Sequence, residues 1–292
     1  MIALKRNEAR RAERSFRKAA QQEEKMAESY YGLGLAYQLM RHRKMDAIDA
    51  FKQALVLKDD YIDALYALGQ IYLTLSLRRD GFGSVYNPRH SPLAQYALER
   101  RLSLAPDHPY ANFDLARIHD EGMGDFRKAI FYYELQLINT PDEPEVVFHL
   151  ARSYFKADWL NEGLHWSQRF SSNYPEQAHH LKPIRVMLQA VEAYRHQDYV
   201  RGEQFFGAYL DLRSKEGRSL FDDISSITSE TETNLYSTLT LEKQKRYRRQ
   251  FWHNRDPDPT TSENERLLEH YYRVLFSQYH FGRYSAPRGS SG

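Results

Sequence analysis

Apolar positions in this chain recur at the spacing of helix faces, not at the alternation of strands. Leu33, Gly34 and Tyr37 fall on one predicted helix, and Ala47, Phe51 and Ala54 follow at i, i+4 and i+7, the face of a second. The pattern then returns. YYGLGLAY (30–37) is echoed by LYALGQIY (65–72), so that the Leu-Gly-x-x-Tyr core recurs 35 positions later, from Leu33 to Leu68. Two further helix pairs carry Leu115, Ala116, Ala129, Tyr133 and Pro141, then Leu150, Ala151, Tyr154, Gly163 and Pro175. A fifth, degenerate pair covers about 183–213 with Ala190, Ala193, Gly202 and Phe206. Ahead of them all, Glu8 to Gln21 places Ala12, Phe16 and Ala19 at second-helix spacing with no first helix in front.

The second pair breaks the rhythm. After Leu68, Gly69 and Tyr72, its second helix (Ala94, Leu98, Arg101, Leu102, ending at Pro106) arrives about 13 residues late. The intervening LRRDGFGSVYNPRHSP is rich in Gly, Pro, Asn and Ser, which predicts an inserted loop over about 77–92 whose Phe82 and Tyr86 either cover the adjacent wall or reach a partner.

The period and the Leu-Gly-x-x-Tyr, Ala-x3-Phe and Pro positions resemble the 34-residue tetratricopeptide repeat (TPR). Each such unit is a helix-turn-helix that cannot bury its own apolar face and becomes stable only when neighbours stack on it. The resemblance implies an all-α, right-handed α-solenoid of about five TPR units over 1–213, flanked by an N-terminal helix and closed by a C-terminal helical cap. About 13 helices and no β-sheet are expected. A half-repeat at residue 1 predicts a natural chain that begins earlier, and the final PRGSSG (within 283–292) reads as a flexible tail or engineered scar.

Beyond the repeats the character changes. Residues 214–233 gather Ser, Thr, Asp and Glu and read as a boundary segment. Residues 234–282 hold two helices around a Pro-containing turn. Asp256-Pro257 and Asp258-Pro259 disfavour helix at the residue before each Pro, so the helix carrying Phe251 and Trp252 should stop near Asn254, and Thr261 or Ser262 should cap the next. Trp252 and Arg255 are expected to lock this corner onto the last repeat. The pattern of Glu242, Lys243, Arg246, Phe251, Trp252, Arg255, Asp256, Pro257, Pro259, Asn264, Glu265, Tyr271, Arg273, Val274, Phe281 and Gly282 resembles the start of the bacterial GWxTD domain over about 50 residues, without the naming motif. That resemblance implies a bacterial, cell-envelope or exported protein and supplies no reaction.

Composition narrows the classes. The chain has 292 residues, 41% hydrophobic and 27% charged, with a net charge of +2, which does not suit a dedicated nucleic-acid binder. There is no run of 18 apolar residues to span a membrane, and MIALKRNEARR is too polar for a signal peptide. Cysteine is absent, and none of the phosphate-loop, dinucleotide, zinc-protease or serine-hydrolase motifs occurs, so neither a cofactor nor a common enzyme class is expected. The adjacent His179 and His180 point to different sides of a helix and make a poor metal pair. The basic runs Lys5, Arg6, Arg10, Arg11, Arg14, Arg17, Lys18 and Lys243, Lys245, Arg246, Arg248, Arg249 read as solvated helix faces.

The resemblance places the candidate site on the concave wall, lined by the first helix of each pair at repeat positions 2, 5, 9 and 12. Position 5 holds Tyr31, Tyr66, Phe113 and Phe148, then Met187; position 9 holds Leu35, Gln70, Arg117 and Arg152; position 2 holds Glu28, Asp63, Tyr110 and Glu145. Aromatic and Arg side chains are the usual anchors of protein interfaces. The expected site is therefore Tyr31, Tyr66, Gln70, Tyr110, Phe113, Arg117, Phe148 and Arg152, taking a protein or peptide segment or a sister subunit. Chaperone-docking relatives use Lys and Asn at positions 5 and 9 to seize a carboxylate, and this chain has neither there. Two other readings stand beside this one: an assembly or regulatory arm of a larger envelope protein or enzyme, and a self-assembling subunit that stacks through the face of Ala12, Phe16 and Ala19.

Overall fold

A computed structural model describes residues 2–21, 26–40, 42–77, 79–80, 83–84 and 89–281. The chain is all-α, built from stacked antiparallel helix pairs. It divides into two compact units, residues 1–146 and 147–292, with the division falling inside one helix of the fourth pair. Fifteen α-helices occur among the described residues, two more than the repeat count suggests. Phe82, Tyr86 and the tail lie outside the described residues.

The first unit opens with α1 (Ile2–Gln21), which packs on α2 (Ala27–Gln38). The pairs α2 with α3 (Lys44–Leu57), α4 (Ile62–Ser76) with α5 (Ser91–Leu104), and α6 (Ala111–Arg117) with α7 (Phe126–Asn139) follow. The Leu-Gly dipeptide has a steric purpose. A side chain at Gly34 would overlap the Phe51 ring, and one at Gly69 would lie 2.9 Å from the Leu98 side chain, so in the first two pairs glycine lets the second helix press a large residue onto the first. Leu33, Tyr37, Ile48, Phe51, Leu68, Ile71, Tyr72, Leu98, Leu115 and Ile118 join into one buried cluster along the unit. Phe16 of α1 uses the same device on Gly32, but stays 36% exposed because no first helix covers its other side.

Between α4 and α5, Arg79–Asp80 (β1) pairs antiparallel with Gly83–Ser84 (β2). This two-residue ladder is the one departure from the expected absence of strand among the described residues. It arises because the insertion doubles back on itself.

The second unit holds α8 (Pro144–Lys156, entered from the first unit), α9 (Leu160–Asn173), α10 (Ala178–Arg195) and α11 (Tyr199–Asp211), then α12 (Lys215–Asp222), α13 (Glu230–Thr238), α14 (Leu241–His253) and α15 (Glu265–Phe281). The turns inside the fourth and fifth pairs share one geometry. Asp158 and Gln197 adopt φ of 65° and 59°, and the next amides, Trp159 and Asp198, donate back to Tyr154 and Ala193 carbonyls. These left-handed C-caps satisfy carbonyls that the helix end leaves open. In the first unit Gly124 (φ 68°) does the same work after a short π-helical stretch, Ile118–Met123. Asp198 then caps α11 by accepting the Arg201 N–H at 3.1 Å, as Asp125 caps α7 through Lys128 at 3.2 Å.

The terminal corner differs from expectation in two respects. Helix α14 does stop at His253, but Asn264, not Thr261 or Ser262, caps α15: its Oδ1 accepts the Leu267 N–H at 2.9 Å while its Nδ2 donates to the Trp252 carbonyl at 2.7 Å. One amide thus joins the two helices, accepting at one end and donating at the other. Nor do Trp252 and Arg255 reach the last repeat. Trp252 is buried among Phe251, Ile224 and Leu267 and tilts against His270 at 5.1 Å, and Arg255 stacks over Phe251 at 3.7 Å.

Candidate functional site

In the first unit each position-5 aromatic has one edge in the core and one toward solvent. Tyr31 sits 5.7 Å from Phe51 and 5.0 Å from Tyr61. Phe113 lies 5.7 Å from Tyr133, and its backbone N–H donates to buried Gln136 at 3.1 Å. Tyr110 is the most open, 48% exposed at the start of α6. Tyr66 tilts against His108 at 4.2 Å, and its hydroxyl donates to Asp114 at 3.3 Å. Gln70 donates to the same carboxylate oxygen. Arg117 is paired with Glu121 at 3.1 Å, one turn on.

Asp114 is the member that the repeat pattern does not announce. It occupies position 6 of the third unit, where the first two hold Gly32 and Ala67, and that exchange of a small residue for a carboxylate is its only signal in the sequence. Burial pushes its pKa up to about 6, against the pull of Arg117 and the donors Tyr66 and Gln70. Arg101 is a second such case, standing where the first unit has Ala54. It is 7% exposed, and its Nε and Nη1 have no hydrogen-bond partner among the described residues.

The Asp114 shift has a definite sign. The unfolded carboxyl releases its proton near pH 4 and the folded one near 6, so between those values the folded state holds more protons, and stability falls as pH rises. Chemical denaturation of the parent and of Asp114→Asn from about pH 4 to 7 should show the parent losing about 2 kcal/mol relative to the variant across that window. A constant difference would mean that Asp114 is ionised throughout.

The second unit places Phe148 and Arg152 on α8, with Arg152 half-buried and its charge acting on the Tyr279 hydroxyl. Here the wall is occupied from within the chain. Position 12 of the fourth repeat, Phe155, meets Tyr279 edge-on at 5.5 Å and His280 at 5.7 Å, and His280 Nε2 lies 3.2 Å from the Lys156 carbonyl. Position 12 of the fifth, Tyr194, stacks on Tyr272 at 5.1 Å, whose hydroxyl also accepts from Arg195 at 3.2 Å. Tyr271 lies 5.6 Å from Phe206, and Leu268 fits against Gly202. Helix α15 is therefore a helical segment held on the repeat wall by aromatic contacts. The sequence shows α15 as an amphipathic helix but not where it docks.

Elsewhere the chemistry is sparse. The His179 and His180 rings lie tilted 3.8 Å apart on the surface, and no group of three metal-ligating side chains occurs among the described residues. No described helix is long and apolar enough to cross a membrane.

No family model and no curated protein matches the chain. Solved structures do. YrrB, described as a TPR protein with an unusual peptide-binding site, superposes with a TM-score of 0.54 at 14% identity, over 70% of this chain and 95% of its own. MamA gives 0.50 at 21% identity over 59% of this chain and 86% of its own, and PilF of Pseudomonas aeruginosa gives 0.50 at 16% over 72% and 86%. At such identities the likeness concerns architecture alone, and with the paired helices and the Leu-Gly packing it establishes that the chain has the tetratricopeptide-repeat fold.

Proposed function

We propose that this chain is a protein-interaction scaffold whose first unit binds a helical protein segment along Tyr31, Tyr66, Gln70, Tyr110, Phe113 and Arg117. The observation that carries the reading is α15. In the second unit the same kind of wall already receives a helix, with Tyr272 and Tyr279 set against Tyr194 and Phe155, while Tyr271 meets Phe206 on the second helix α11. In the first unit the corresponding first helices keep Tyr31 and Tyr66 half-buried, with part of each ring left on the surface. The peptide-binding site named for YrrB agrees in kind. Phe148 and Arg152 belong to the second unit and serve there beside the chain's own helix, as a site for the same class of segment when α15 is displaced.

Selecting helical peptides from a displayed library against the intact chain tests this. Peptides with aromatic anchors should be enriched. Phe113→Ala should weaken them by about 2 kcal/mol if Phe113 is a hot spot, and Tyr110→Ala should weaken them without changing thermal stability, since that ring is half in solvent. Peptides that bind the Phe113→Ala, Tyr110→Ala double variant as tightly as the parent, with the variant folded, would place the interface elsewhere.

A further inference from the structure

The basic run of α14 does not face bulk solvent alone. Lys245, Arg248, Arg249, Trp252 and His253 follow one another at i, i+3, i+4, i+7 and i+8, a single helix face. That face forms one wall of a cleft of about 490 Å³, closed on its other sides by the end of α12 and the beginning of α15. The volume is in the range of small-molecule sites.

Its polar groups divide into used and unused. Arg248 is engaged: it pairs with Asp222 at 3.3 Å and donates to the Tyr236 hydroxyl. Asn264 spends both ends of its amide on the helix junction. Asp256 accepts the Asp258 N–H at 3.2 Å. Arg249, by contrast, makes no ion pair or hydrogen bond among the described residues, and Lys245 has only an exposed pair with Glu242 at 3.1 Å, which contributes little. Behind these cations lies apolar surface from Trp252, Phe221, Leu267 and Tyr271. An Arg249 unpaired among the described residues, a weakly engaged Lys245 and apolar side chains lining the same cleft are the pattern of a site that orients a ligand by its charge and holds it by its body.

We propose that this cleft binds a small organic anion, a phosphate or carboxylate carried on a flat apolar group, with the charged end at Arg249 and Lys245 and the apolar part against Trp252. The site lies wholly in the second unit, on residues distinct from the first-unit wall, and stands or falls separately from it.

Calorimetric titration of the intact chain with phenyl phosphate, benzoate, inorganic phosphate and benzyl alcohol, with the three Trp indole N–H resonances followed by NMR, tests the proposal. Phenyl phosphate or benzoate should bind saturably and move the Trp252 indole, leaving those of Trp159 and Trp166 in place; which of the two binds tighter decides between phosphate and carboxylate. Inorganic phosphate and benzyl alcohol, each lacking one half of the ligand, should bind at least about tenfold more weakly. Arg249→Ala should lower affinity by about tenfold or more, the loss expected for one charge-assisted hydrogen bond, with unchanged thermal stability because the side chain is exposed. Absence of saturable binding by both ring anions would overturn the assignment. So would equal binding of inorganic phosphate, which would mark a merely basic face, or affinity unchanged in the Arg249→Ala, Lys245→Ala double variant.

Discussion

Trp252→Ala is expected to cost the second unit about 3 to 5 kcal/mol, the range for removing a large buried aromatic. The indole is 9% exposed and packs among Phe251, Ile224 and Leu267 and against His270, with only a narrow edge left in the cleft between α12, α14 and α15. His270 is itself committed, its Nε2 lying 3.0 Å from the Phe221 carbonyl, and burial depresses its pKa, so it cannot charge and turn outward to water cheaply. The surrounding helices therefore relax poorly into the void, which places the cost toward the upper part of the range. Hydrogen exchange should accelerate from Lys243 to Phe281. The amides of residues 30–75 should be unchanged, because their cluster has its own set of buried side chains. Unaltered protection in α14 and α15 would show that the indole is not what joins them.

The second large effect concerns the helix on the wall. Leu268 and Leu275 of α15 are 1% and 0% exposed. Each truncation to Ala is expected to cost about 2 to 5 kcal/mol, and the double variant should release α15, since the contacts left are aromatic packing and the hydrogen bonds of Arg195, His270 and His280, each of modest net worth. Limited proteolysis and hydrogen exchange over residues 265–281 check this. Phe155 and Tyr194 would then be bared, and helical peptides selected on the first unit should gain a second binding site. A protected α15 in the double variant would mean that its aromatic contacts suffice to hold it.

The two units differ in how they treat the same surface. In the first, Tyr66 and Gln70 direct their donors onto a buried carboxylate within the wall, and Arg117 turns to Glu121, so the polar groups would already be held in place for the proposed segment. Side chains held in this way lose less freedom on binding. In the second, the ordering is supplied by α15.

The repeat architecture was legible in the chain because each unit restates the same local rules. The Leu-Gly or Leu-Ala pair, the small residues Ala47, Ala94 and Ala129, and the large Phe51, Leu98 and Tyr133 recur at matching positions, shifted only by the insertion in the second pair, so periodicity located five helix pairs and the orphan α1. Local chemistry also stopped α14 at His253, since the residue before each proline is pushed out of the helical region. What tertiary structure decided is every contact between residues far apart in sequence. Asp114 meets Tyr66 across 48 residues, Asn264 caps α15 while also donating to the Trp252 carbonyl of α14, and His280 finds Lys156 across 124. The basic face of α14 became a cleft wall only when α12 and α15 closed on it. A helix face is written in the sequence as a period. The surface that it meets is settled by which packing buries the most apolar area with its polar groups satisfied, and no local pattern encodes that choice.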